Sequence, residues 1–278
     1  MNKVFDIKRF GKYFTYDLNN ALGNYGISAL VIGLLPLILL VFSVIFSLII
    51  TGEAAVIPHP VKLALFGITF LVVILSAPTK LYGSLTERRA GTDWLMLPAS
   101  SFEKFLSMAI MLCIVLPLVV FGLFVVCDLL LGWIVPAYGG SVFKTLKDSI
   151  SVFGLTSMED MSMALPTGGG TVASVFMGWC ASVLPFGLGA ICFKKGKAAK
   201  TILCIFAVEI LFSILLVILF KGGYDSGFEY GQRLANFFEN MTAEKAQFWA
   251  NFLINLMYLV IVGGLLTAIY FRIKTIKH

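Results

Sequence analysis

Long apolar runs alternate along this chain with short segments rich in charge, and six of the runs are long enough to cross a bilayer. They cover roughly Ser28–Ile50, Val61–Ala77, Phe105–Trp133, Thr171–Phe193, Thr201–Phe220 and Phe252–Phe271. A helix needs about 17–25 apolar residues to cross ~30 Å of hydrocarbon, and the second run is the shortest. The pattern predicts an all-α integral membrane protein with six transmembrane helices over residues 28–278. Residues 1–27 read differently. Val4, Ile7, Phe10, Phe14 and Leu18 recur at helical spacing, while Lys3, Asp6, Arg9 and Asp17 fall mostly elsewhere on the wheel. That pattern predicts an amphipathic helix lying in the membrane interface.

The basic residues sort by side. The N-terminus, the segments after the second and fourth runs, and the C-terminus together hold 15 of the 21 Lys and Arg residues. The alternate segments hold only Lys62, Lys144, Lys147, Lys221, Arg233 and Lys245. Basic loops stay on the cytoplasmic side, so both termini are expected inside. The chain is 59% hydrophobic and 13% charged, which excludes an ordinary soluble domain. Its net charge of +6 sits at membrane edges and points to anionic lipid rather than nucleic acid. The first 27 residues lack a signal peptide's short apolar core and cleavage site, so insertion is expected through the first span.

Interruptions shape the expected bundle. Gly33 and Pro36 lie in the first span and Pro117 in the third, and Gly178, Pro185, Gly187 and Gly189 crowd the fourth. Such residues kink helices or let neighbours approach closely. Two outer segments are large. Residues 134–170 are irregular and end in three glycines, without the Gly-Lys-Ser/Thr of a phosphate loop. In 221–251, Leu234, Phe237, Phe238 and Met241 suggest a short amphipathic helix on the outer face. No internal repeat is visible.

Candidate chemistry is sparse. Cys113, Cys127, Cys180, Cys192 and Cys204 all fall in or beside apolar runs with no C-x-x-C pair, so neither a disulfide framework nor a metal site is expected. No cofactor motif, H-E-x-x-H or G-x-S-x-G is present, and the two histidines, His59 and His278, do not cluster. The chain does not read as an enzyme. Two intramembrane polar residues stand out. Glu209 lies mid-span and should face the bundle interior or be protonated. Asp128 lies near the outer end of the third span, within reach of the interface.

The inner loop 78–104 is charged at its ends yet carries Trp94-Leu95-Met96-Leu97 in its middle. Exposed apolar groups there need a cover, from the bilayer or a partner protein. Ser100 or Ser101 can cap a helix entering the third span, with Glu103 favourable at its N-terminus. Leu97-Pro98-Ala99-Ser100 followed by Glu103-Lys104-Phe105, with the opening Phe5-Asp-Ile-Lys-Arg-Phe, resembles the ABC-2 type transporter permeases. That resemblance implies a pore-forming subunit of a bacterial inner-membrane transporter, paired as a homodimer or heterodimer and driven by a separate ABC ATPase subunit. It implies that Glu87, Arg88, Arg89, Trp94, Leu97, Pro98, Ser100 and Glu103 belong to the loop that docks on the ATPase. It also implies that residues 3–18 form an elbow helix, and that the segment near Leu234–Met241 is like the re-entrant helices before the sixth span. The long third span and the large 134–170 segment depart from the family pattern. Two alternatives stand beside this reading: a membrane scaffold that uses the same loop, and a proton-coupled transporter that uses Glu209.

Overall fold

The computed structural model describes residues 5–52, 59–87, 91–92, 94, 96–134, 172–221 and 243–276. Every regular element among them is helical. Helix α1 (Ile7–Ala21) passes through a π turn, Leu22–Gly26, into α2 (Ile27–Thr51). Helix α3 (His59–Tyr82) ends in a 3₁₀ turn, Gly83–Thr86. Helix α4 (Ser101–Ile110) passes through a second π turn, Met111–Val115, into α5 (Leu116–Ile134). Helices α6 (Val172–Cys192), α7 (Lys197–Lys221) and α8 (Ala243–Thr275) complete the bundle. Five helical stretches are long and apolar enough to cross a membrane: Ile7–Thr51, Ala64–Thr86, Ser101–Trp133, Lys197–Leu215 and Phe252–Thr275. Phe176–Cys192 is a shorter apolar helix. These are the helices of a multi-pass membrane protein. The outer segments 134–170 and 221–251, including Leu234–Met241, lie largely outside the described residues.

The N-terminal helix differs from the expectation of a separate element. No residue between 21 and 27 leaves the helical region: Gly26 has φ −53°, and positive φ occurs only at Gly52 and Gly196 among the described residues. The chain therefore continues from α1 into α2 as one 45-residue helical stretch. At 1.5 Å per residue this is roughly 65 Å, about twice a bilayer's hydrocarbon core, so a large part of it lies beyond the core. Helix α2 stops at Gly52, whose left-handed φ of 75° lets its N–H donate to the Leu48 carbonyl at 3.1 Å.

The stretch α1–α2 runs parallel to α4–α5 in nearly constant register. Three cross-contacts, Arg9–Glu103, Asp17–Ser107 and Gly33–Cys127, join residues 94, 90 and 94 positions apart. The approach is closest at Gly33. A Cβ there would meet Leu123 Cδ1 at 2.8 Å, and its carbonyl accepts from Cys127 Sγ at 3.2 Å. The two π turns, at 22–26 and 111–115, consequently sit at the same level of the paired helices.

Helix α6 occupies the middle of the core. Trp179, Val183, Leu184, Ala190 and Ile191 are buried, and the helix packs on α3, α7, α8 and the second π turn. Trp179 Nε1 donates to the Leu112 carbonyl inside that turn at 3.0 Å. Near its end, Gly189 admits α7: a Cβ at this position would collide with Thr201 Oγ1 and lie 2.9 Å from Thr201 Cβ. We therefore expect Gly189→Ala to cost about 1–3 kcal/mol through overpacking. Thr201→Ala in the same chain should recover part of that loss, as read by thermal unfolding in detergent.

Candidate functional site

The densest polar cluster lies where α1, the 3₁₀ turn, the loop before α4 and the start of α4 meet. Its centre is Glu103, fully buried at the third position of α4. Ser100 caps the helix: its Oγ accepts from Glu103 N at 3.2 Å, while its own N–H donates to Glu103 Oε2 at 2.8 Å. This reciprocal box satisfies two helix-end donors. The same carboxylate accepts from Asp6 N at 2.9 Å, Arg9 Nε at 2.8 Å and Arg9 Nη2 at 2.8 Å. The forked guanidinium pair is the strong geometry for a carboxylate. One side chain thus caps α4 and holds the first turn of α1 against it.

Two further contacts continue along α1 at four-residue steps. Trp94 Nε1 donates to Tyr13 Oη at 2.9 Å. The buried Asp17 carboxylate accepts from Ser107 Oγ at 2.6 Å and from Tyr82 Oη at 3.1 Å, both through Oδ2. Arg9, Tyr13 and Asp17 therefore form one stripe, and α4 and the end of α3 receive it. Lys104, also buried, donates from Nζ to the Trp94 carbonyl at 2.8 Å and lies 4.5 Å from the centre of its ring. Cations extend the bracing to the other segments at this end. Lys197 Nζ donates to the Gly83 carbonyl, and Arg272 Nε donates to the Ile191 carbonyl at 3.3 Å near the end of α6. Phe105 and Phe102 meet Tyr270 of α8 edge-on.

The chain itself thus covers part of the apolar loop centre. Trp94 is half-buried beneath Tyr13 and Lys104, and Leu97 is half-buried too. The outward-facing residues are Met96, 82% exposed, with Pro98 and Glu87. Arg88 and Arg89 lie outside the described residues. Sequence reasoning picked out Ser100, Glu103 and Trp94 but missed Arg9, Tyr13, Asp17, Tyr82, Lys104 and Ser107 as their partners. The signal is the spacing of Arg9, Tyr13 and Asp17 at i, i+4 and i+8; the sequence pattern sets Arg9 and Asp17 off the apolar face of the helix and does not single out Tyr13.

The two intramembrane candidates are not brought together with this cluster, and each differs from its expectation. Asp128 does not reach out to the interface. It is buried on α5, and its charge acts on Lys62, itself fully buried at the start of α3. Phe66 and Phe124 meet edge-on across the same two helices. Glu209 does not face the interior of this chain. It is exposed on α7 with Val208, Ile210, Leu211 and Phe212; among the described residues the main neighbours of α7 are α6 and α3. No group of three or more His, Cys, Asp or Glu residues able to hold a metal occurs among the described residues.

No family model, curated protein or solved structure matches this chain. The fold and the cluster therefore define its class from their own physics: a helical multi-pass membrane protein with a braced loop at one end of the bundle.

The bracing predicts a measurable coupling. In a double-mutant cycle of Arg9→Ala and Glu103→Ala, we expect the two losses not to add, the double variant losing less than the sum of the single ones. Asp17→Ala should destabilise by roughly 1–3 kcal/mol, since the buried Tyr82 and Ser107 hydroxyls lose their acceptor. Both follow from unfolding in detergent.

Proposed function

We propose that this chain is the membrane-embedded permease subunit of an ABC-2 type transporter in a bacterial inner membrane. In this reading it has six transmembrane helices with both termini on the cytoplasmic side. It acts as a homodimer or heterodimer, with an ABC ATPase subunit bound at the inner face. The chain binds no nucleotide itself. The partner hydrolyses ATP, and its closure displaces the loop 83–100.

The observation that carries the reading is the way this loop is held. A docking loop transmits force only if it is stiff and joined to what must move. Here Trp94, Ser100, Glu103 and Lys104 tie the loop to α1 and to the first turns of α4, which lead directly into α5. Met96 and Pro98 stand out from that base as contact groups. The positive-inside sorting of Lys and Arg puts the same end on the cytoplasmic side. Glu209, on the outward face of α7, lacks the enclosed surroundings a proton-coupled carboxylate needs within one chain.

The test is co-purification from native membranes in mild detergent, with ATP hydrolysis measured on the eluate. We expect a stoichiometric ATPase subunit, lost from the Met96→Asp protein while its melting temperature stays unchanged. Trp94→Ala should instead lower the melting temperature, because it removes a brace. Absence of any ATP-hydrolysing partner from the wild-type eluate would sink the proposal.

A further inference from the structure

A cavity of about 440 Å³ opens between the paired helices at the level of the two π turns. One wall is the end of α1, the first π turn and the start of α2, with Leu22, Tyr25 and Leu30. The other is the second π turn and α5, with Met111, Val119 and Leu123. Every other lining residue is aliphatic or glycine, and the one hydroxyl, Tyr25 Oη, is already bonded to Ser76 Oγ at 3.1 Å. The cavity offers a ligand nothing but hydrocarbon contacts.

Its rim faces outward. Leu22, Ile27, Leu30 and Val119 line it and are 61%, 77%, 51% and 46% exposed. They belong to helices long and apolar enough to cross a bilayer, and they give the mouth an apolar rim that acyl chains can wet. An apolar cavity that opens into hydrocarbon fills with hydrocarbon, since water there would lack polar partners. At about 440 Å³ the cavity has room for a string of methylenes. A π turn in each wall at one level is a second mark of a site, because such turns recur where helices are adapted to function.

We propose that this cavity is a binding site for one acyl chain of a membrane phospholipid, entering sideways between α2 and α5. The bound chain packs against both π turns and fills the gap left where the paired helices separate above the Asp17–Ser107 contact and below Gly33. This inference needs only the membrane setting and does not depend on the permease reading.

The test uses the full chain in nanodiscs of phosphatidylethanolamine and phosphatidylglycerol, doped with a phosphatidylglycerol bearing a diazirine on its acyl chain. Photolabelling is mapped by peptide mass spectrometry. Label on Leu22, Tyr25 and Met111 should exceed that on Leu211 and Phe212, which present the ordinary exposed face of α7. Filling the cavity with Ala29→Phe should cut the cavity label by about tenfold or more and leave the α7 label unchanged. Val119→Phe, at the exposed rim, gives the same reading if Ala29→Phe fails to fold. Cavity label no stronger than α7 label, or indifference to a filling variant that folds, overturns the proposal. So does labelling by a free diazirine fatty acid but not by the phospholipid, which would assign the site to a different occupant.

Discussion

A buried carboxylate is tolerable only when its oxygens are satisfied, and Glu103 sets that requirement for one whole end of this molecule. Its acceptor sites take the Ser100 and Asp6 N–H groups and two nitrogens of Arg9. Removing any one donor leaves charge in a place water does not reach. The loop's exit into α4, the position of α1 and the shielding of Trp94 all follow from that one satisfied group. A carboxylate shared by three segments also makes them move together.

The second organising feature is the register between α1–α2 and α4–α5. Offsets of 94, 90 and 94 residues hold from the polar end to Gly33. Two helices of ordinary pitch keep such a register only if any extra residue in one is matched in the other. A π turn in each does this at the same level. The local widening of both helices is also what opens the apolar cavity between them. Tight polar contact at one end, close backbone approach at the other and a hydrocarbon-lined gap in the middle are therefore parts of one arrangement.

The positive residues at this end have two roles. By the topology rule they are expected on the inner side of a membrane. In the fold, Arg9, Lys104, Lys197 and Arg272 are also braces, each donating to a carboxylate or carbonyl of another segment. Charge counting over the sequence registers only the first role. It treats a lysine as a sign on a loop, whereas Lys104 is a buried donor held over a tryptophan ring. The same blindness applies to Asp17, which the helical wheel sets off the apolar face, yet which Tyr82 and Ser107 enclose. Periodicity tells which residues share a face, but not whether that face meets water, lipid or another helix.

What the sequence by itself determined was the apolar helices, the capping of α4 by Ser100 and Glu103, and the sorting of charge between segments. All three depend on residues near one another along the chain. Local hydrophobicity, helix-end hydrogen bonding and net loop charge need no knowledge of what packs where. Only the tertiary structure decided that α1 continues into α2, that its Arg9–Tyr13–Asp17 stripe is buried, that Trp94 is covered from within, and that Asp128 faces Lys62 while Glu209 faces out. Each of these joins residues tens of positions apart. Their partners were chosen by which helices lie side by side, and that choice follows from small residues such as Gly33 and Gly189, whose effect appears only when a second helix is present.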